Sequence, residues 1–184
     1  MTDSDTTPEF SVEVKLDSIS DEPKEYHLKA DNDQKSALAR RFGLLSIDSF
    51  ETDLVLSWLK PGRILAVKGR ILAGVTQACV VTLEPVTATV DEEIEIIFAR
   101  NSADLGDLID PNEVEALEDE TLDIGEVAAE ELSLALDPYP RHPDVDPSAL
   151  ELGPGAELVT EEEASEAQKR ENPFGILAEL KGKS

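Results

Sequence analysis

Two long runs of aliphatic and β-branched residues, joined by a proline-containing turn, are the strongest constraint on the fold of this 184-residue chain. The runs span residues 63–75 and 90–98, and both are rich in Ile, Val and Leu. Such residues favour β-strands, and Glu84-Pro85 supplies the break that a reversing connection needs. Residues 77–86, which include the single cysteine, Cys79, are therefore predicted to form a turn between two antiparallel strands.

An earlier strand is predicted over residues 47–59, with Pro61-Gly62 as the turn that leads into the run at 63–75. Gly69 interrupts the apolar face of that run and indicates either a bulge or the close approach of another backbone. Residues 10–16 alternate between apolar and polar side chains, so a half-buried strand is predicted there too. The apolar face of the run at 63–75 consists of Leu65, Val67, Ile71 and Val75.

A capping signal predicts the first helix. Asp31 is followed three residues later by Gln34, which is the spacing of a capping box. The predicted helix covers residues 32–42 and ends at Gly43. Arg40-Arg41 lies in its last turn, and we interpret this pair as cations at the negative end of the helix dipole.

The second predicted helix has the same type of start. Asp123 and Glu126 repeat the capping-box spacing directly before an apolar stripe, so a helix is predicted over residues 124–136. Pro138 and Pro140 end it because proline lacks the backbone N–H that a helix requires.

The predicted fold class is α+β: an antiparallel sheet, either open or closing toward a barrel, with two or three packed helices. Residues 9–143 are predicted to form a single domain, after a disordered N terminus at 1–8 and with a mobile acidic loop near 101–122. Residues 144–171 are predicted to be a disordered acidic linker. Residues 172–184 are predicted to contain a short helix that docks on its own domain or on a partner. Its apolar patch consists of Phe174, Ile176, Leu177 and Leu180.

The formal net charge is −25, and the negative charge is concentrated in the second part of the chain. Residues 1–70 carry 13 acidic and 10 basic side chains, whereas residues 71–184 carry 28 and 6. A surface this negative repels phosphate backbones, which disfavours extensive binding of RNA or DNA. The densest basic group is predicted either to make limited contact with RNA phosphate or a partner, or to pair with nearby carboxylates. It consists of Lys60, Arg63, Lys68 and Arg70.

Signals of catalysis, metal binding and membrane insertion are weak in this sequence. It has two histidines, one cysteine, no glycine-rich phosphate loop and no apolar run of membrane-spanning length. Its acidic start is unlike a signal peptide, so a cytoplasmic protein is predicted. The weak motif signals predict a protein without catalytic residues, metal or other cofactor. Glu126 and Glu130 lie one helical turn apart and either hold a cation or form a solvated face.

Four segments in a particular order carry a family resemblance. They are the turn Cys79-Val-Val-Thr-Leu-Glu-Pro-Val86, the helix that begins at Asp123, the exit Pro138-Tyr-Pro-Arg-His-Pro143 and the ending Asn172-Pro-Phe-Gly-Ile-Leu-Ala-Glu-Leu-Lys181. In this order the chain resembles the YceD-like family, the large ribosomal RNA subunit accumulation proteins, particularly alphaproteobacterial-type members. The resemblance marks Cys79, Leu83, Glu84 and Pro85 as the family turn.

The turn departs from the pattern of many members of that family, which carry Cys-x-x-Cys there. This chain has Thr82 where the second cysteine would fall, so a metal or redox role is not implied. What the resemblance implies is a noncatalytic bacterial factor for the synthesis, processing or stability of large-subunit (23S) ribosomal RNA. Two rivals stay open. One is an acidic adaptor or nucleic-acid mimic unrelated to ribosomes. The other is a hydrolase or nuclease that uses carboxylate-bound Mg²⁺, with Glu126 and Glu130 as candidate ligands.

Charge and resemblance together suggest the kind of partner. We expect a basic ribosomal protein or a large-subunit precursor, because dense carboxylates attract cationic surfaces. The contact is predicted to use the acidic face of the second helix, which presents Glu126, Glu130 and Glu131. The oligomeric state is left open by these patterns.

Overall fold

The computed structural model describes residues 8–101, 114–117 and 119–144, and the following account concerns those residues. They belong to the compact unit Met1–Pro143, except Asp144. The N-terminal tail up to residue 7, the linker beyond Asp144 and the C-terminal helix with its apolar patch, all predicted above, lie outside the described residues. Neither described helix combines the length and the apolar character that would be required to cross a bilayer.

Seven strands and two α-helices make up the described fold. In chain order they are β1 (Glu13–Lys15), β2 (Lys24–Lys29), α1 (Asn32–Phe42), β3 (Ser46–Lys60), β4 (Ile64–Ala78), β5 (Pro85–Ala99), β6 (Val114–Ala116), β7 (Thr121–Asp123) and α2 (Ile124–Ala135). A short 3-10 turn, Leu16–Ser18, follows β1. The predicted α+β class is confirmed.

The main sheet has five strands in the order β2-β3-β4-β5-β6. All neighbours are antiparallel except β5 and β6, which run parallel. Strand β1 pairs with β7 in a separate two-stranded antiparallel sheet. The alternative of a barrel is wrong for the described residues, because β2 and β6 are the two ends of an open sheet. Strand β6 has only three residues and offers too short a ladder for closure.

Strand alternation places the core on one face of the main sheet, as the sequence pattern of β4 predicts. Leu65, Val67, Ile71 and Val75 are buried in that face. Helix α1 packs mainly on β3, and α2 contacts β4, β5 and β1. Lys68 and Arg70 alternate with the buried residues and are exposed on the opposite face.

Gly69 marks the close approach of another backbone, the second of the two alternatives drawn from sequence. A Cβ atom at this position would lie 2.2 Å from the Asp53 carbonyl oxygen on β3. The ladder between β3 and β4 is regular there, and its two irregularities lie near Asp48 and Leu59 instead. Glycine is therefore needed at this position for lack of space rather than for a bulge.

Both predicted helices are present, with related but different caps. Asp31 accepts N–H bonds from Asp33 and Gln34, and the Gln34 side chain completes the capping box before α1 ends at Gly43 in the left-handed conformation. For α2, the Asp123 side chain accepts from Gly125 and Glu126. This helix ends at Ala135, one residue before the predicted end.

The predicted acidic loop near residues 101–122 contains more regular structure than expected. Strand β6 and the start of β7 lie in its second half, and Leu117 and Leu122 are buried there. Three-residue strands are too short to show a periodic pattern, and the apolar residues that anchor them are isolated among carboxylates. Strand β2, which was not predicted, has only two residues that turn toward the core, Tyr26 and Leu28.

The N-terminal strand is shorter than predicted. Only Glu13–Lys15 pairs as a strand, yet Phe10, Val14 and Leu16 are buried as the alternation indicated. The Val12 N–H donates to the Asp123 side chain over 2.8 Å, so this segment is fixed to the start of α2.

Candidate functional site

An acidic groove runs beside α2, between this helix and the segment that contains β6. It comprises two adjoining depressions of about 420 Å³ each, which share Glu115 and Glu130 in their walls. Six carboxylates line these depressions, and we define the acidic groove by five of them, Glu115, Asp119, Glu126, Glu130 and Glu131. The sixth, Asp123, caps α2. Phe98 and Val127 contribute apolar surface to one depression, and Phe42 and Leu134 to the other.

Glu126 forms an ion pair within the protein. Its carboxylate accepts two bonds from Arg41, at 2.9 Å to Nη1 and 2.5 Å to Nη2, and Arg41 also contacts Glu9 at 3.1 Å. The bond with Glu126 raises the pKa of the Arg41 guanidinium above its ordinary value. Arg41 therefore joins the end of α1 to the start of α2, a more specific role than the dipole interaction predicted for it.

Glu130 and Glu131 differ from Glu126 in their pairing within the described part of the chain. Among the residues the structure describes, no lysine or arginine forms an ion pair with either carboxylate. Partial burial, and next the negative charges of Glu126 and Glu115, raise the pKa of Glu130, and Arg41, which lines the same depression, offsets only part of this rise. Partial burial and then Glu130 raise the pKa of Glu131. The groove thus presents negative charge that the described residues leave unbalanced.

This imbalance leads to a prediction about stability. A carboxyl whose pKa is raised by folding is protonated more readily in the folded chain, so its charge opposes folding at neutral pH. We expect Glu130→Gln or Glu131→Gln to raise the free energy of unfolding at pH 7 by up to about 0.5 kcal/mol. Urea titrations should show that the difference in unfolding free energy between variant and original chain becomes smaller as the pH falls from 7 to about 5.

Glu126→Gln is the matched control, because it removes one charge from the same helix but also weakens the contact with Arg41. It should lower the free energy of unfolding at pH 7. Equal effects of all three substitutions would contradict the distinction between the paired and the unpaired carboxylates.

The turn after β4 is organised around the Cys79 thiol, which is fully buried. Its sulfur accepts N–H bonds from Val81, Thr82 and His142 at 3.4 to 3.5 Å. Hydrogen bonding by Thr82, and next by the His142 N–H, lowers the pKa of the thiol to about 6. Thr82 thus favours the thiolate form of Cys79.

The proline-rich exit after α2 returns to this turn. Val80 donates its N–H to the Pro140 carbonyl at 2.9 Å, and the Gln77 side chain donates to the Asp137 carbonyl at 2.9 Å. Two of the segments that carried the family resemblance, the turn and the exit, are therefore in contact although about 60 residues separate them.

The other predicted turn residues shape its backbone. The Leu83 N–H donates to the Cys79 carbonyl, and the Glu84 carbonyl accepts from the Cys79 N–H. Leu83 has a φ of 64°, in the left-handed region, and its side chain is 75 % exposed. Pro85 then begins β5.

The four basic residues of the predicted RNA or partner contact have different surroundings in the structure. Arg70 binds Asp91 through two contacts of 2.6 and 2.7 Å, and Lys68 binds Glu95 at 2.7 Å. Lys60 and Arg63 lie at the turn between β3 and β4, where the Arg63 N–H donates to the Lys60 carbonyl. Pairing with carboxylates, one of the two interpretations, describes Lys68 and Arg70.

Metal-binding geometry is equally limited in the described part of the chain. No group of three or more His, Cys, Asp or Glu side chains is gathered there around a point that an ion could occupy. The suggested cation pair of Glu126 and Glu130 is weakened further because Arg41 already engages Glu126.

Three members of the groove region were missed by sequence reasoning. Arg41 was assigned to its own helix because its partner Glu126 is 85 residues away. Glu9 joins the same contact from the N-terminal segment. Glu115 lies on β6, which had no recognisable pattern.

Comparison with known protein families identifies the family of this chain. The model of the family described as large ribosomal RNA subunit accumulation protein YceD matches residues 67–181, more than half of the chain. The match starts within β4 and includes the Cys79 turn, β5 and α2. No curated protein and no solved structure matches the chain.

Proposed function

Because this chain belongs to the YceD family of large ribosomal RNA subunit accumulation proteins, we propose that it is a noncatalytic factor for the synthesis, processing or stability of 23S ribosomal RNA. We propose further that it acts by binding a cationic protein surface, either on a basic ribosomal protein or on a large-subunit precursor. The observation that carries the second step is the unbalanced negative charge of the acidic groove.

Neutralisation by a cationic partner is the simplest way to relieve this charge. Glu130 and Glu131 repel each other and are partly desolvated, so a lysine or arginine placed beside them gains a favourable interaction in the bound state alone. Phe42 and Leu134 line the same depression, which suits a partner segment that combines cationic and apolar side chains. Proteins that bind RNA phosphate supply such cationic side chains, because lysine and arginine neutralise the phosphates.

Direct recognition of RNA by this protein is proposed to be limited. Two of the four candidate cations, Lys68 and Arg70, are engaged by carboxylates on the neighbouring strand. An RNA phosphate would have to compete with these carboxylates and approach a chain of net charge −25. A protein intermediary avoids both costs.

The experiment has two levels, depletion and complementation. We expect depletion in the native cell to lower the ratio of 23S to 16S ribosomal RNA and to reduce the large-subunit peak on a sucrose gradient. The original chain should restore both. The double variant Glu130→Lys with Glu131→Lys should fail to restore them, because it repels a cationic partner.

A matched control carries Asp21→Lys and Glu22→Lys, which change the net charge equally but are exposed outside the groove. This control should complement as well as the original chain. An unchanged ribosomal RNA ratio after depletion would refute the ribosomal role. Complementation by the groove variant would refute the groove as the binding site, and capture of DNA-binding proteins without ribosomal proteins would favour the acidic adaptor.

A further inference from the structure

Strand β2 is an open edge of the five-stranded sheet. It is hydrogen-bonded to β3 on one side, and on the other side no described residue donates to it or accepts from it through the backbone. Four of its six residues are exposed. Such an edge is a template for another strand.

The charges along β2 are complementary to themselves when the strand is reversed. On the outer face of the sheet, Glu25 precedes His27 and Lys29 follows it, each by two residues. On the inner face, Tyr26 and Leu28 flank His27 in the same symmetrical way. A second copy of β2, antiparallel and centred on His27, would place Glu25 opposite Lys29 and Tyr26 opposite Leu28, each twice.

We propose that this chain forms a two-fold symmetric dimer in which β2 pairs with β2 of a second copy, with His27 opposite His27. The pairing makes one continuous ten-stranded sheet and satisfies the backbone groups of both edges. This inference is independent of the proposed ribosomal role.

The register is selective. A slip of the two β2 strands by one residue would place Lys24 opposite Lys29. It would also place the core-facing Leu28 opposite the outward-facing Glu25. The central register instead gives two opposite-charge pairs and two apolar pairs. Each such cross-strand pair contributes favourably, whereas like charges directly opposite are destabilising.

The electrostatics of the whole chain favour this edge for contact between two copies. Residues 1–70, which include β2, have a nearly balanced charge, and most of the net charge of −25 belongs to residues 71–184. Strands β5 and β6 lie at the opposite end of the sheet order. At the junction Lys29 contacts Glu51 of its own chain, and the His27 ring nitrogen lies 2.7 Å from a carboxylate oxygen of Asp53.

The first test is sedimentation equilibrium of the full chain over a range of concentrations at about 0.15 M salt, where long-range repulsion is screened. We expect a reversible equilibrium between monomer and dimer. Glu25→Lys places like charges opposite Lys29 at two positions and should raise the dimer dissociation constant at least about tenfold. The double variant Glu25→Lys with Lys29→Glu restores opposite charges and should recover most of the affinity.

Glu22→Lys is the matched control, since it alters the net charge as Glu25→Lys does but precedes β2. It should leave the dissociation constant within about twofold of the original value. A monomer at every concentration would overturn the proposal. So would a dimer that is weakened equally by Glu22→Lys and Glu25→Lys.

A second test reads the register by cross-linking. Cysteines introduced by His27→Cys would face each other with Cα atoms about 5 Å apart, within reach of a disulfide. Cysteines introduced by Glu25→Cys would be offset by four residues, about 13 Å, and should not join. Under mild oxidation we expect a covalent dimer from the first variant and none from the second. The native Cys79 is buried and present in both. Equal cross-linking of both variants would overturn the central register.

Discussion

Replacing Gly69 with alanine is expected to lower the free energy of unfolding by about 3 kcal/mol, a large fraction of the stability of a domain of this size. The added methyl carbon would lie 2.2 Å from the Asp53 carbonyl oxygen and 2.7 Å from a Leu54 methyl carbon. Both neighbours belong to β3, and the oxygen belongs to the backbone of a regular ladder. The overlap can be relieved only if β3 and β4 separate locally.

Gly74→Ala provides the control, because it makes the same change in the same strand. There the nearest atom to the added carbon is the Ser49 hydroxyl oxygen at 3.1 Å, at the end of a short side chain that can rotate. The rotation would cost the bond that this hydroxyl accepts from the Gly74 N–H, so we expect a loss of about 1 kcal/mol. Urea unfolding of both variants would give the comparison, and equal losses would show that the contact with β3 is not limiting.

Replacing Asp123 with alanine is expected to cost about 2 to 3 kcal/mol of unfolding free energy. One oxygen of this side chain accepts three backbone N–H bonds: from Val12 at 2.8 Å, Gly125 at 3.0 Å and Glu126 at 3.1 Å. Two of these bonds cap α2, and the third holds the N-terminal segment. Alanine would remove the cap and leave the Val12 N–H without this acceptor.

Asp31→Ala separates the contribution of a helix cap from that of the bond to the Val12 N–H. Asp31 caps α1 through Asp33 and Gln34, and its bonds stay within that helix, so its loss should cost only about 1 kcal/mol. Asp123→Asn should be milder than Asp123→Ala, because the amide oxygen still accepts N–H bonds. Thermal and urea unfolding would measure all three. Equal costs for Asp31→Ala and Asp123→Ala would contradict the added contribution of the bond to Val12.

Local sequence signals were sufficient for the elements that are long or have distinctive ends. Strands β3 and β4 have 15 residues each, and several alternations reveal which face is buried. Helix α1 has a complete capping box and a terminal Gly43. In these places propensity, pattern and turn chemistry agree, so the local prediction survives in the fold.

The parts that failed depend on distant partners. Strands β6 and β7 have three residues each, and they are defined by pairing with β5 and β1 rather than by their own composition. Their two ladders illustrate how tertiary context decides the state of a short segment. Whether the sheet is open or closed likewise depends on its end strands, β2 and β6, and not on the pattern of its long central strands.

For the candidate site, sequence reasoning found the acidic helix but not its internal division. Glu126, Glu130 and Glu131 were grouped by helical position alone. The structure distinguishes them through Arg41, which forms an ion pair with Glu126 and leaves the other two without an ion pair among the described residues. Only the packing of α1 beside α2 reveals this difference.

The pairing of β1 with β7 affects how the chain folds during its synthesis. Val12 and Asp123, which are hydrogen-bonded at this junction, are separated by 111 positions in the sequence. At translation rates of about 5 to 20 residues per second, the N-terminal strand waits roughly 5 to 20 seconds for its partner to be made. Over that interval β3, β4 and β5 can pair as successive hairpins while Phe10 and Val14 still lack part of their final cover. Completion of this domain is therefore a late event on the ribosome that makes it, and it begins when the start of α2 leaves the exit tunnel.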